Sequence, residues 1–139
     1  MQGMIYQRHI PQEELFSAQL EMLMQHGRRA MLGTHVVGVL ATVVLFWQFI
    51  DLSTILLWAA LFLILLLVRS LQMSNALVER RYQTRPTRVY WQLLIGTGLT
   101  GAVWAAVYMY ATTRVPLDLQ YLFLLIIVLT TAFSLSYSV

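Results

Sequence analysis

Cysteine is absent from the 139 residues, which excludes a disulfide framework and a thiolate metal site. Charge is scarce. Only 11% of the residues are Asp, Glu, Lys or Arg, less than half the share of about 25% in a soluble domain. His9, His26 and His35 are too widely spread to form a metal cluster. The sequence holds no Gly-x-Ser-x-Gly elbow, no His-Glu-x-x-His pair and no phosphate-binding glycine loop. Asp51 and Asp118 both fall at turns, so no carboxylate pair sits inside an apolar run. We expect no catalytic group, metal or cofactor and read the chain as a non-enzyme.

What is abundant is apolar side chain, 59% of the total. All fifteen charges lie outside four windows: Ala30 to Ile50, Leu52 to Val68, Val89 to Thr113 and Leu119 to Val139. Together these windows hold 84 of the 139 residues. A water-soluble globule of this size has too little interior for them, and a disordered chain would not carry them. As helices, rising about 1.5 Å per residue, the windows span roughly 25 to 37 Å. That matches a hydrocarbon core of about 30 Å. A barrel would need alternating polar and apolar positions, and Leu63-Ile64-Leu65-Leu66-Leu67 does not alternate. The fold class expected is all-α: an integral membrane four-helix bundle with spans at about 30–50, 52–71, 89–113 and 117–139.

Basic residues set the orientation. Arg28 and Arg29 precede the first span, and Arg69, Arg80, Arg81, Arg85 and Arg88 stand between the second and third, with one acid, Glu79. The two other connections hold only Asp51, Arg114 and Asp118. Both termini and the middle loop are therefore placed in the cytoplasm. The net charge of +3 is a topology signal rather than a nucleic-acid footprint, and the arginines are expected among anionic lipid headgroups. The Arg28-Arg29 pair is not read as an export signal, because no small-residue cleavage site follows it.

Residues 1–29 form a cytoplasmic segment, and its first ten residues are read as loose. Pro11 suits a first helical position, and Glu13 and Glu14 favour a helix N-terminus. Leu15, Phe16, Leu20, Leu23 and Met24 recur at helical spacing, which predicts an amphipathic helix resting on the membrane face, with a bend at Gly27. A plain cytoplasmic extension of the first span is the competing expectation. Gln72 to Tyr82 is expected to prolong the second helix out of the membrane. Pro86 and Pro116 mark breaks.

Inside the spans, His35 is the one imidazole, followed on the same face by Gly38 and Thr42. Polar groups at membrane depth are functional candidates by default, although helix packing, with the imidazole hydrogen-bonded to a neighbour, is the favoured explanation of this stripe over a ligand or proton role. Thr97, Gly101 and Ala105 repeat at four-residue spacing beside the pair Gly96 and Thr100, a pattern of close helix packing. Trp104 and Tyr108 adjoin them and could wall a pocket. Thr130, Thr131, Ser134, Ser136 and Ser138 are expected to bond backbone carbonyls one turn earlier or a neighbouring helix. Trp47 fits an outer aromatic belt, Trp58 lies deeper than a belt requires, and Arg69 reads as a snorkelling anchor. The binding candidates are His35, Trp58, Arg69, Trp104 and Tyr108.

Trp58, Arg69, the turn around Arg80-Arg81-Tyr82, Trp91, Gly96, Gly98, Gly101 and Trp104 form a series. In this arrangement, over roughly residues 20 to 139, the chain resembles the N-terminal multi-helix sensory region of bacterial diguanylate cyclases (GGDEF proteins) and sensor histidine kinases. The resemblance implies the bacterial inner membrane, a homodimer, cyclic di-GMP or phosphotransfer signalling, and an output domain beyond Val139. No catalytic residue carries over, and a piece of a longer protein is expected. With short outer turns, the signal should be a hydrophobic or membrane-derived ligand, a partner helix or a bilayer property. A structural or accessory subunit of a transporter or larger complex is the alternative, although a transporter should show broken helices or midplane charges.

Overall fold

The computed structural model describes residues 11–136, and no strand occurs among them. The elements are α1 (Gln12–Phe46), α2 (Leu52–Val78), the single turn α3 (Arg81–Thr84), α4 (Pro86–Ala111) and α5 (Leu117–Ser136). Three of these, α1, α2 and α4, are long and apolar enough to cross a membrane. The first ten residues, His9 among them, and Ser138 lie outside the described residues, and the side chains of Ser134 and Ser136 are likewise not described.

Each boundary has a local cause. Pro11 stands just outside α1, and Glu13 and Glu14 occupy its first turn, where negative charge meets the positive end of the helix. Asp51 caps α2 by accepting hydrogen bonds from the Thr54 amide and the Ser53 hydroxyl. The Ser53 hydroxyl foremost, then the Thr54 amide, holds the Asp51 carboxyl below the usual carboxylate range. Pro86 opens α4 in the first helical turn, where its missing N–H is no loss. At the turn into α5, the Gln120 side-chain amide donates to the carbonyls of Thr112 and Val115.

Two segments depart from expectation. The stretch before Arg29 is not a separate surface helix, because α1 runs unbroken through Gly27 for 35 residues. At about 1.5 Å per residue that is about 52 Å. The apolar residues of its first half are only partly covered within the chain: Leu20 and Met24 bury into the same core as Met73, Ala76 and Tyr82, while Leu15, Met22 and Leu23 stay exposed. Phe16 meets the Tyr90 ring at 6.1 Å. Burial foremost, then a hydrogen bond with Glu21, pushes the Tyr82 phenol above its ordinary value. The second departure is in α2, which stops at Val78 rather than running on to Tyr82. Arg80 takes the left-handed conformation there, with φ 50° and ψ 35°, and the chain turns into α3.

A non-glycine residue in that region costs about 1–2 kcal/mol, and glycine is the favoured residue just past a helix end. Arg80 is exposed. Arg80→Gly should therefore raise the thermal midpoint of the detergent-solubilised protein by a few degrees, as read by circular dichroism. An unchanged or lower midpoint would show that the arginine side chain offsets the strain.

The buried residues of α2 are Ile55, Ala59, Phe62, Leu66, Arg69, Met73 and Ala76. They alternate steps of four and three, the spacing of a coiled-coil seam. α1 lies against α5 and α2, α4 touches α2 and α5, and α1 and α4 meet across the middle. These contacts join residues of α1, α2, α4 and α5 in one hydrophobic core. The interior's polar members are His35, Thr42, Arg69, Thr100 and Thr130.

Candidate functional site

The interior is organised around Trp104 on α4. Its ring lies 5.2 Å from Phe62 and 5.6 Å from Trp58 on α2, 5.8 Å from Phe123 on α5, and 6.5 Å from His35 on α1. Offset and edge-on contacts at these separations are the favoured geometries of aromatic rings. Trp58 stacks on Phe62, and its indole N–H donates to the Val103 carbonyl at 3.4 Å. Tyr108 stacks on Phe123 one turn further along α4. Gly38 lets α1 come close at this level, since a Cβ there would stand 2.9 Å from Thr130 Oγ1 and 3.4 Å from the Trp104 ring.

Arg69 does not snorkel outward. It is 8% exposed and turns inward, donating from Nη1 to Thr100 Oγ1 and from Nη2 to Thr97 Oγ1. Both hydroxyl protons are already committed to helix carbonyls, Thr97 to Leu93 and Thr100 to Gly96. That leaves their oxygen lone pairs as acceptors for the guanidinium. Gly96 makes room for it: a Cβ at that position would stand 2.8 Å from Arg69 Nε. No carboxylate pairs with Arg69 among the described residues, where the one ion pair is Arg81 with Glu79 at the surface. Arg69 thus carries an unneutralised positive charge held by neutral oxygens, a costly arrangement inside a protein.

Beside it lies a cavity of ≈ 340 Å³. Its walls come from all four long helices: Leu23, Gly27, Met31 and His35; Arg69 and Met73; Leu93, Thr97, Thr100, Gly101 and Trp104; and Thr131. His35 Nδ1 lies 2.9 Å from the Met31 carbonyl. A carbonyl only accepts, so that nitrogen carries the proton, and the ring's Nε2 is left for other partners.

The structure therefore brings His35, Arg69, Trp104, Thr97 and Gly101 around one space, with Trp58 behind Trp104. Tyr108 stands outside it, against Phe123. The small-residue stripe serves differently from its expected role. Thr97, Gly101 and Ala105 are exposed, and nothing stands within 4 Å of a Cβ at Gly101. The close approach falls on the neighbouring pair Gly96 and Thr100 instead, because that face meets Arg69. Thr130 and Thr131 donate to the carbonyls of Ile126 and Ile127. Phe62 and Phe123 are neighbours of Trp104 that the sequence did not single out. Phe62 could have been found, four residues after Trp58 and seven before Arg69 on one helix face, whereas Phe123 carries no such signal in a uniformly apolar run.

No family model, curated protein or solved structure matches the chain.

Proposed function

We propose that this chain is a membrane-embedded sensory or regulatory input domain of a bacterial signalling protein, of the diguanylate cyclase or histidine kinase type. In this reading α1, α2, α4 and α5 form a four-helix bundle spanning the inner membrane. Both termini and α3 lie on the cytoplasmic side. A ligand or membrane property alters packing around Trp104, and the change reaches a cytoplasmic output domain through α1 and α5, in a homodimer.

The observation that carries the proposal is the inverted distribution of polarity. Large apolar side chains face outward along every long helix, among them Val44 at 73%, Leu57 at 63%, Ile95 at 60% and Val128 at 60% exposure. The buried set holds a histidine, an arginine and three threonines. Soluble monomers do not expose apolar surface on that scale, whereas lipid accepts it and favours polar groups turned inward. The rings and glycines of the resemblance, together with a cavity walled by four helices, favour sensing over scaffolding.

The test is the native reading frame downstream of codon 139. We expect it to continue into an in-frame cyclase or kinase domain. A stop codon at that point would refute the sensor and favour an accessory membrane subunit.

A further inference from the structure

We infer that the cavity beside Arg69 is a binding site for the carboxylate head of a single-chain amphiphile, a free fatty acid. The inference rests on reading the chain as a membrane-embedded input domain and names the ligand class of that site.

Charge supplies the first argument. Arg69 is buried, has no carboxylate partner among the described residues, and is held by two neutral hydroxyl oxygens. A guanidinium presents a planar fork of donors that matches a carboxylate. An anion entering the cavity would neutralise the charge where it is least solvated.

Shape supplies the second. The cavity's ≈ 340 Å³ lies at the low end of the roughly 300–1,000 Å³ of small-molecule sites. It has room for a head group and the start of one chain rather than a whole two-chain lipid. Its walls are mostly apolar, with Leu23, Met31, Met73, Leu93 and Trp104 among the residues that share it with Arg69.

Access supplies the third. Thr97 and Gly101 on α4 and Thr131 on α5 line the cavity yet are exposed. The rings joining α4 to α5, Trp104 and Tyr108 against Phe123, lie further toward the Asp51 end. On the Arg69 side of these rings, the exposed lining residues, with Leu23 on α1, place an opening of the cavity at the surface of the helices. In the proposed topology that opening faces the inner half of the bilayer, where a fatty acid carries its carboxylate near the interface and its chain in lipid.

The test uses the full chain in phosphatidylcholine nanodiscs, titrated with oleic acid, methyl oleate or dioleoyl phosphatidylglycerol and read by native mass spectrometry. Oleic acid should bind one per chain, at least about tenfold tighter than its uncharged ester, since a charge-assisted bond is worth that much or more. Arg69→Met should abolish the difference between acid and ester. Gly101→Leu points a side chain into open space and should weaken oleic acid binding by filling the cavity. Thermal unfolding of each variant checks that it remains folded. Equal binding of acid and ester to the unaltered chain would overturn the assignment. So would one-to-one binding of phosphatidylglycerol that displaces oleic acid, since the anion would then belong to a resident two-chain lipid. Either failure leaves the membrane topology and the downstream reading frame, which are tested separately, where they stand.

Discussion

Trp104→Ala is expected to lower folded-state stability by about 3 kcal/mol, at the low end of the range for removing a buried aromatic ring. Trp104 is 5% exposed and its ring meets residues of α1, α2 and α5. Its removal empties a position at which the four long helices meet. The low end applies because helices unfolded from one another in lipid remain in apolar surroundings, so the loss is packing rather than transfer from water. Unfolding in mixed micelles, followed by tryptophan fluorescence and circular dichroism, measures it. Trp104→Phe should retain most of the stability, since a smaller ring preserves the contacts to Phe62 and Phe123. A loss below about 1 kcal/mol for Trp104→Ala, small for a buried large-to-small change, would show that the helices collapse around the gap and that the ring is no hub.

Arg69→Met is expected to do the opposite, raising stability by about 1–2 kcal/mol. Placing arginine within a spanning helix costs up to about 3 kcal/mol, and replacing buried charge with a well-packed apolar side chain is often stabilising. The usual penalty for removing a partner does not arise here. Thr97 and Thr100 keep their hydroxyl protons on the Leu93 and Gly96 carbonyls, so neither is left with an unsatisfied donor. Methionine is unbranched and adapts to the slot above Gly96. The same unfolding measurement reads the effect. A residue whose removal stabilises the fold is one retained for another task, consistent with the usual exchange of stability for function. A loss of more than about 1 kcal/mol, the scale of an ordinary net hydrogen bond, would mean that the two hydroxyl bonds tie α2 to α4 and that Arg69 is structural.

The helices were legible because charge marks their ends. Asp51, Arg85-Pro86 and Pro116 fall where helices begin or stop, and α1, α2, α4 and α5 take up most of the apolar windows, α1 ending at Phe46 and α4 at Ala111, short of the ends of theirs. Inward faces were legible only where they differ chemically from the rest of the helix. His35, Gly38 and Thr42 stand out on α1, and Trp58 and Arg69 on α2, and all of these except Trp58 are fully buried. The stretch of α5 from Leu122 to Leu129 is apolar on all sides, so nothing in its sequence distinguishes Phe123 from Leu122 or Leu124, although Phe123 is fully buried while Leu122 faces outward. The direction of Arg69 was also hidden. A long side chain near a helix end reaches the interface or the interior equally well, and the outcome turns on Gly96, 27 positions further along the chain, leaving space for it. The continuity of α1 through Gly27 depended on a partner in the same way: Tyr82 and the end of α2 supply apolar cover for Leu20 and Met24.

The central claim is a four-span domain with α3 and the start of α1 on the cytoplasmic side, and the absence of native cysteine allows it to be tested directly. Single cysteines at Thr113, Gln83 and Gln25, all exposed, can be treated with a membrane-impermeant maleimide in intact spheroplasts and again after lysis. Thr113→Cys should label in both, and Gln83→Cys and Gln25→Cys only after lysis. Labelling of Gln83→Cys in intact spheroplasts, or of all three alike before lysis, would contradict the topology and with it the placement of the Arg69 cavity in the inner half of the membrane.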